Sequence, residues 1–285
     1  MACNKILFFS KNTAAALPYI KEAAAYLSSK GVECLCLDER AAFFAGIGIR
    51  PVSLAEAKQA DFILSFGGDG TILKAARMFC DVQTPILGVN MGTVGYLTDS
   101  EPKDVVATLD KFLQGAYTIE KRNTLSITCN GKSYVGINEA VVYRNGVSHI
   151  LSLRVSFDGQ EIETLRADGL IVSTPTGSTA YNLSAGGPIV APLSKTMLVT
   201  PICAHSLTSR PIVIGDDSVI TVKAFDFRSE REKPSLDVDG KSVVRLNEGD
   251  VVEVKKGQEK VLLVRVNPTN FYKALKRKLG VAGGR

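Results

Sequence analysis

A chain of 285 residues with 45% hydrophobic and 22% charged side chains can bury one large core or two modest ones, and its length favours two domains. A formal charge of +5, from 34 Lys and Arg against 29 Asp and Glu, suits anionic ligands. It is too mild, and too free of interleaved basic and aromatic residues, to indicate nucleic acid. Apolar stretches such as Ala41–Ile49 (AAFFAGIGI) fall well short of the roughly 20 residues that span a bilayer.

The start, MACNKILFFSKN, turns polar after a short apolar run, unlike a secretory signal. Lys5–Phe9 is strand-like, and Thr13–Ser29 is alanine-rich and helical, with Gly31 placed to end it. Val32–Leu37 (VECLCL) returns as a strand whose Cys34 and Cys36 share a face. That pattern, with no CxxC among six cysteines, fits buried thiols in a reducing cytoplasm. Ser53 and Glu56 form a capping-box pattern. Phe62–Phe66 reads as a strand, Thr71–Cys80 as a helix, Pro85–Val89 as a strand and Glu101–Gln114 as a helix. This alternation predicts a Rossmann-like α/β domain with a parallel sheet over residues 1–118.

From about Leu125 the apolar period becomes two. Asn130-Gly131, Asp158-Gly159 and Asp239-Gly240 each join two alternating runs, the signature of hairpins with type I′ turns. VITVKAF, VVEVKK and VLLVRV add further strands, so 119–266 reads as an all-β antiparallel sandwich. Residues 267–285 read as a C-terminal helix packing back on the first domain, followed by a frayed VAGGR tail. Phe271, Leu275 and Leu279 share its apolar face, and its basic face reads as solvated.

Familiar nucleotide motifs fail. Gly68-x-Gly70 is followed by Leu73 where a dinucleotide fingerprint needs glycine. The GKS tripeptides at Gly131 and Gly240 lie in hairpin turns and lack the upstream glycine of a P-loop. His149 and His205, the only histidines, lack metal-ligand spacing, and no GxSxG elbow is present. Asn182-Leu-Ser184 matches a glycosylation acceptor, without meaning in a cytoplasmic protein.

Three polar stretches are not required by packing. Gly67–Thr71 (GGDGT) lies between a strand and a helix, where glycine amides close around phosphate but a carboxylate would repel it. Asn138-Glu139 interrupts an apolar run. Asp168-Gly169 leads into a stretch holding five hydroxyl residues between Ser173 and Thr179, many donors for phosphate, ribose and base edges. Singly, each has a plainer reading: Asp69 as a helix cap, Glu139 as an exposed rim residue, the hydroxyl stretch as a long turn. Together with Asn90–Leu97, which follows the next strand, they outline a crevice at strand carboxyl ends that favours a nucleotide.

GGDGT at Gly67–Thr71, NMGTVGYLTD at Asn90–Asp99, NE at Asn138-Glu139, DGLIVSTPTGSTAYNLSAGGPIV at Asp168–Val190 and HSLTSRPIV at His205–Val213 resemble, in order and spacing, the bacterial-type NAD kinase family. The likeness covers most of the chain and is weakest over the first sixty residues and around Ser229–Lys233. GGDGT alone is shared with lipid kinases; the long Asp168 segment is the specific part. The resemblance implies phosphoryl transfer from ATP, or another donor such as polyphosphate, with Mg²⁺, to the 2′-hydroxyl of the adenosine ribose of NAD. By similarity Asp69 faces that hydroxyl, with Gly68 and Gly70 beside the pyrophosphate. Asn138 and Glu139 hold the adenosine, and Thr179, Ala180 and Ser184 border the adenine. Asp168 and Tyr181 belong to a site shared across a subunit interface of a homotetramer or homodimer built through the β domain. Mg²⁺ is expected on the donor phosphates, with Asp69 a candidate ligand. By charge alone, Arg166 and Arg210 are candidate phosphate contacts, or surface ion pairs. The rivals are a lipid or sugar kinase sharing GGDGT, and a non-catalytic NAD(P) sensor; a pure binder gains nothing from Asp69.

Overall fold

The computed structural model describes residues 3–11, 14–92, 95–145, 150–227, 232–267 and 271–280. Thr13, His149 and the VAGGR tail lie outside them. The chain divides into two compact units, Met1–Lys121 with Val261–Arg285, and Arg122–Lys260.

In the first unit the elements run β1 (Lys5–Ser10), α1 (Leu17–Ser29), β2 (Glu33–Leu37), β3 (Arg50–Val52), α2 (Leu54–Ala57), β4 (Phe62–Gly67), α3 (Asp69–Met78), β5 (Ile86–Asn90) and α4 (Val105–Leu113). The strands form a parallel sheet in the order β5-β4-β1-β2-β3. Neighbours β1 and β4 lead away in opposite directions, to β2 and to β5. Their carboxyl ends therefore open the crevice in which such sheets bind ligands. Ile6, Phe8, Leu64 and Phe66 are buried with Ile20 and Leu27 of α1 and Leu109 and Phe112 of α4 in one core. Tyr26 of α1 donates its hydroxyl to Asp110 of α4 at 2.6 Å. Cys34 and Cys36 are both buried free thiols, as their alternation implies. The Ser53 hydroxyl caps α2 by accepting the Glu56 N–H.

The second unit contains β6 (Thr118–Cys129, entering from the first unit), β7 (Lys132–Gly136), β8 (Glu139–Tyr143), β9 (Leu151–Phe157), β10 (Gln160–Ala167), β11 (Gly169–Ser173), α5 (Tyr181–Ser184), β12 (Thr196–Ile202), β13 (Ile212–Gly215), β14 (Ile220–Phe225), β15 (Ser235–Val238), β16 (Lys241–Arg245) and β17 (Val251–Arg265). One antiparallel sheet runs β13-β12-β11-β8-β15-β16; β10, β9, β14 and β17 form the other, with β6 and β7 beside β17. Inward residues from both sheets, among them Leu153, Val222, Leu170 and Leu236, share one core. All three hairpins turn where the sequence places them: Asn130 and Gly131 have φ of 52° and 71°, Asp158 and Gly159 51° and 82°, Asp239 and Gly240 48° and 73°. That pair of positive angles makes a type I′ turn.

Helices α1 and α4 begin later than the sequence reading, at Leu17 and Val105, and three further boundaries also differ. The segments VVEVKK and VLLVRV are one strand, β17, pairing with β14 through Val251–Val254 and with β5 through Leu263. The expected helix at Thr71 begins at Asp69, because Gly68, in extended conformation, is the residue that leaves the strand. The C-terminal helix α6 is described over Phe271–Lys278, with Ala274 buried and Leu279 half exposed, so the apolar face ends before Leu279.

Candidate active site

At the carboxyl ends of β1, β4 and β5 lies a cavity of about 410 Å³, walled by Gly67, Gly68, Asp69, Gly95, Lys11 and Lys278 among others. Asp69 is not the helix cap. Gly68 holds that position without any side-chain cap, and the Asp69 carboxylate reaches across to the loop after β5. There Oδ2 accepts the Tyr96 N–H at 2.9 Å and Oδ1 the Leu97 N–H at 3.0 Å. Each carboxylate oxygen keeps a further lone pair for another partner. Lys278 Nζ stands 3.6 Å from Oδ2 and 4.2 Å from the centroid of the Tyr96 ring. A cation thus offsets the charge that looked misplaced in a phosphate loop.

The same loop is tied on its other side. Arg265, near the end of β17, donates from Nη1 to the carbonyls of Leu97 and Thr98, both at 3.1 Å, and from Nη2 to that of Tyr96 at 3.3 Å. Its Nε bonds Glu120 at 3.2 Å. Asp99 accepts the N–H groups of Val266 and Asn267, fixing the chain that leads to α6. Gly95 is required by close approach: a Cβ there would fall 2.8 Å from Asp69 Cγ. Gly95→Ala is therefore expected to displace the carboxylate and lower turnover by at least about tenfold. Thermal melting within about 1 kcal/mol of the parent, by calorimetry, would tie that loss to Asp69 rather than to global unfolding.

In the second unit, Asn138 and Glu139 enter β8 on a backbone held by Asp239. Its Oδ1 accepts the Asn138 N–H at 2.7 Å and the Ile137 N–H at 3.1 Å. Asp239 is also the first residue of a type I′ turn, so one hairpin both closes itself and sets the Asn-Glu pair. Glu139 is not an exposed rim residue: it is 6% exposed. Burial, and then the nearby Asp239 charge, push its carboxyl up to about 7. Because the folded value lies above the ordinary one, Glu139 costs no stability below about pH 4.5, where both states hold the proton. The cost grows as pH rises towards 7 and is complete above it, at about 3 kcal/mol. Glu139→Gln should match the parent in urea melts near pH 4.5 and exceed it in stability at pH 8. Equal stability at both pH values would contradict the buried, protonated carboxyl.

The hydroxyl-rich stretch behaves differently from its sequence reading. Ser173, Thr174 and Ser178 are buried and spend their hydroxyls on the protein: Ser173 donates to the Asn138 carbonyl at 3.1 Å, Thr174 to that of Ile137 at 2.7 Å, Ser178 to that of Pro175 at 2.7 Å. Thr176 accepts from Arg122. These hydroxyls fold the loop against the Asn138-Glu139 segment, leaving Thr179 and Ala180 half-buried and Tyr181 and Ser184 exposed. Asn182 is fully buried, bonded to Ser178, Pro188 and Thr200, so the Asn-Leu-Ser match is no glycosylation site. Asp168 pairs with Arg144 at 2.6 Å. Arg210 donates to the carbonyls of its own loop, Leu207 and Ser209. Arg166 is exposed on β10.

Sequence reasoning missed Gly95, Arg144, Asp239, Arg265 and Lys278. Arg265 left one sign, a cation inside the apolar run VLLVRV. Lys278 belongs to the basic helix face that had read as solvated.

A glycine-rich loop carrying one carboxylate, at the switch point of a parallel sheet joined in sequence to an antiparallel sandwich, fits the class of nucleotide-binding α/β proteins. The model of the ATP-NAD kinase N-terminal domain matches residues 47–117, and that of the C-terminal domain matches residues 137–266. NAD kinase of Moorella thermoacetica is 38% identical over 281 residues, covering 94% of this chain and 88% of that one. NAD kinase of Methanothermobacter thermautotrophicus is 41% identical over 225 residues, 79% and 78% of the two chains. An Archaeoglobus fulgidus NAD kinase solved with ATP superposes with a TM-score of 0.75 at 26% identity, over 98% of this chain and all of that one. Yeast NADH kinase solved with NADH shares the fold, with a TM-score of 0.90 at 24% identity over 100% and 89%. The chain belongs to the NAD kinase family.

Proposed function

We propose that this enzyme phosphorylates the 2′-hydroxyl of the adenosine ribose of NAD, with ATP as donor, and that Asp69 faces that hydroxyl. The observation that carries the reading is the Asp69 carboxylate, fixed by two backbone N–H groups at a cavity walled by glycines and lysines. Phosphoryl transfer has a loose transition state that needs little early deprotonation, so an ionised carboxylate suffices to aim the hydroxyl and take its proton late. Gly68 and Gly70 lie beside the pyrophosphate. Asn138 and Glu139 hold the adenosine, Glu139 with a carboxyl able near pH 7 to donate as well as accept. Thr179, Ala180 and Ser184 border the adenine, and Asp168 and Tyr181 complete a site shared between subunits. A homotetramer or homodimer built through the β unit would cover apolar side chains such as Leu207, which is 94% exposed.

Among the described residues no three His, Cys, Asp or Glu side chains converge as a metal site. Asp69, the one acid among the described residues that line the cavity, fits a Mg²⁺ brought by the donor's phosphates. Bound there, the ion neutralises phosphate charge. Free thiols, four of them buried, suit a reducing cytoplasm.

The test is to incubate purified protein with ATP, Mg²⁺ and NAD and to detect NADP with an NADP-specific dehydrogenase. Steady NADP formation supports the reading; none with ATP or polyphosphate, across several divalent metals, sinks it.

A further inference from the structure

We propose that Lys278, on the C-terminal helix, is a catalytic residue that binds the transferring phosphoryl group of the donor; this rests on the kinase reading above. Helix α6 docks through Phe271, whose ring lies 5.8 Å from that of Tyr96, and through Ala274, which is 3% exposed. Phe271 and Lys278 are seven residues apart and so share a face two turns along the helix. The docking that seats Phe271 on Tyr96 therefore delivers the lysine to the same ring and to the Asp69 carboxylate.

The Lys278 side chain is 37% exposed, and two features set it apart from the other cations of the helix. The ammonium is held from two directions, by the Tyr96 ring at 4.2 Å and by Asp69 at 3.6 Å. It also forms part of the wall of the cavity: among the described lining residues Asp69 is the one acid, with Lys11 the other cation. A site that receives a polyanion beside a carboxylate needs fixed positive charge where the phosphoryl oxygens pass. The loop amides of Tyr96 and Leu97 cannot supply it, since Asp69 uses them.

In the reaction the ribose 2′-oxygen forms a bond to the γ-phosphorus, the bond from that phosphorus to the β,γ-bridging oxygen breaks, and ADP leaves with its electron pair. The hydroxyl proton passes to Asp69 and then to solvent. Lys278 keeps its protons throughout; it turns from Asp69 to a γ-phosphoryl oxygen, which also frees a carboxylate lone pair for the hydroxyl.

Lys278→Ala and Lys278→Arg in the full chain test the assignment. Lys278→Ala is expected to lose about 10²-fold in kcat/KM for ATP, with kcat also reduced and NAD affinity within threefold. Lys278→Arg should retain activity within about tenfold, and added ethylammonium should restore part of the alanine variant's rate. A merely structural lysine gives the opposite pattern: NAD affinity and melting temperature shift together, and ethylammonium restores nothing. Wild-type kcat/KM in Lys278→Ala also overturns the proposal. Calorimetric binding of inorganic tripolyphosphate separates the two readings. Lost affinity in Lys278→Ala supports the phosphate contact even if the wild type makes no NADP, and unchanged affinity overturns it even if it does.

Discussion

Asp69→Asn lowers the single-turnover rate of NAD phosphorylation by about 10²–10⁴-fold while NAD affinity stays within a few-fold. The geometry sets both halves of this expectation. The carboxylate is one acceptor pair facing two donors, the N–H groups of Tyr96 and Leu97. An asparagine can accept one of them, but its amide nitrogen then faces the other, leaving a buried donor without a partner at a cost of about 1–3 kcal/mol. The loop loosens, yet groups that hold NAD elsewhere remain. What disappears is the basic oxygen that aims the hydroxyl and receives its proton. A melting curve recorded beside the rate checks that the variant is folded at the assay temperature. Near-normal single turnover in a folded variant would discard the general-base role and leave Asp69 as a loop tether.

Arg265→Met should be the most damaging change outside the cavity, destabilising the fold by about 3 kcal/mol and reducing kcat by at least tenfold. The guanidinium is about 10% exposed and joins Glu120 to three consecutive carbonyls. Methionine fills the volume but offers no donor, so those carbonyls and the carboxylate lose their charge-assisted bonds together. The loop they belong to is the one whose amides hold Asp69, whose Tyr96 ring meets Lys278 and whose Asp99 anchors the approach to α6. Arg265→Lys should fall between, because an ammonium cannot span three carbonyls in the fixed fork of a guanidinium. As a positioning effect it should lower kcat more than it raises KM for ATP. Urea melts and steady-state kinetics read both effects. A methionine variant that melts like the parent would show that the clamp does not hold the loop.

Local chemistry made much of the fold legible. Asn130-Gly131, Asp158-Gly159 and Asp239-Gly240 declared three hairpins because few residue pairs accept two successive positive φ angles. The alternation from Lys5 to Gln114 declared a parallel sheet, and GGDGT fell at the end of its strand. What stayed hidden was set by tertiary contact. Nothing local in VLLVRV says that Arg265 will meet carbonyls 167 to 169 residues away. Nothing in SLDVDGK, beyond its Asp-Gly turn, says that Asp239 will carry the backbone of Asn138 at a separation of 101 residues. The hydroxyl-rich stretch misled for a related reason: its composition announced donors, but burial turned them inward to satisfy the loop's own carbonyls. The basic face of α6 is exposed, as its composition implies, yet one lysine of that face also reaches a carboxylate.

The sharpest measurement of the central claim is phosphorus NMR of a single-turnover mixture of enzyme, Mg²⁺, ATP and NAD. The expected result is a ribose 2′-monophosphate resonance that appears in step with ADP, one for one. ADP released with no phosphorylated NAD, or phosphate appearing on another hydroxyl, would contradict the placement of Asp69 against the 2′-hydroxyl.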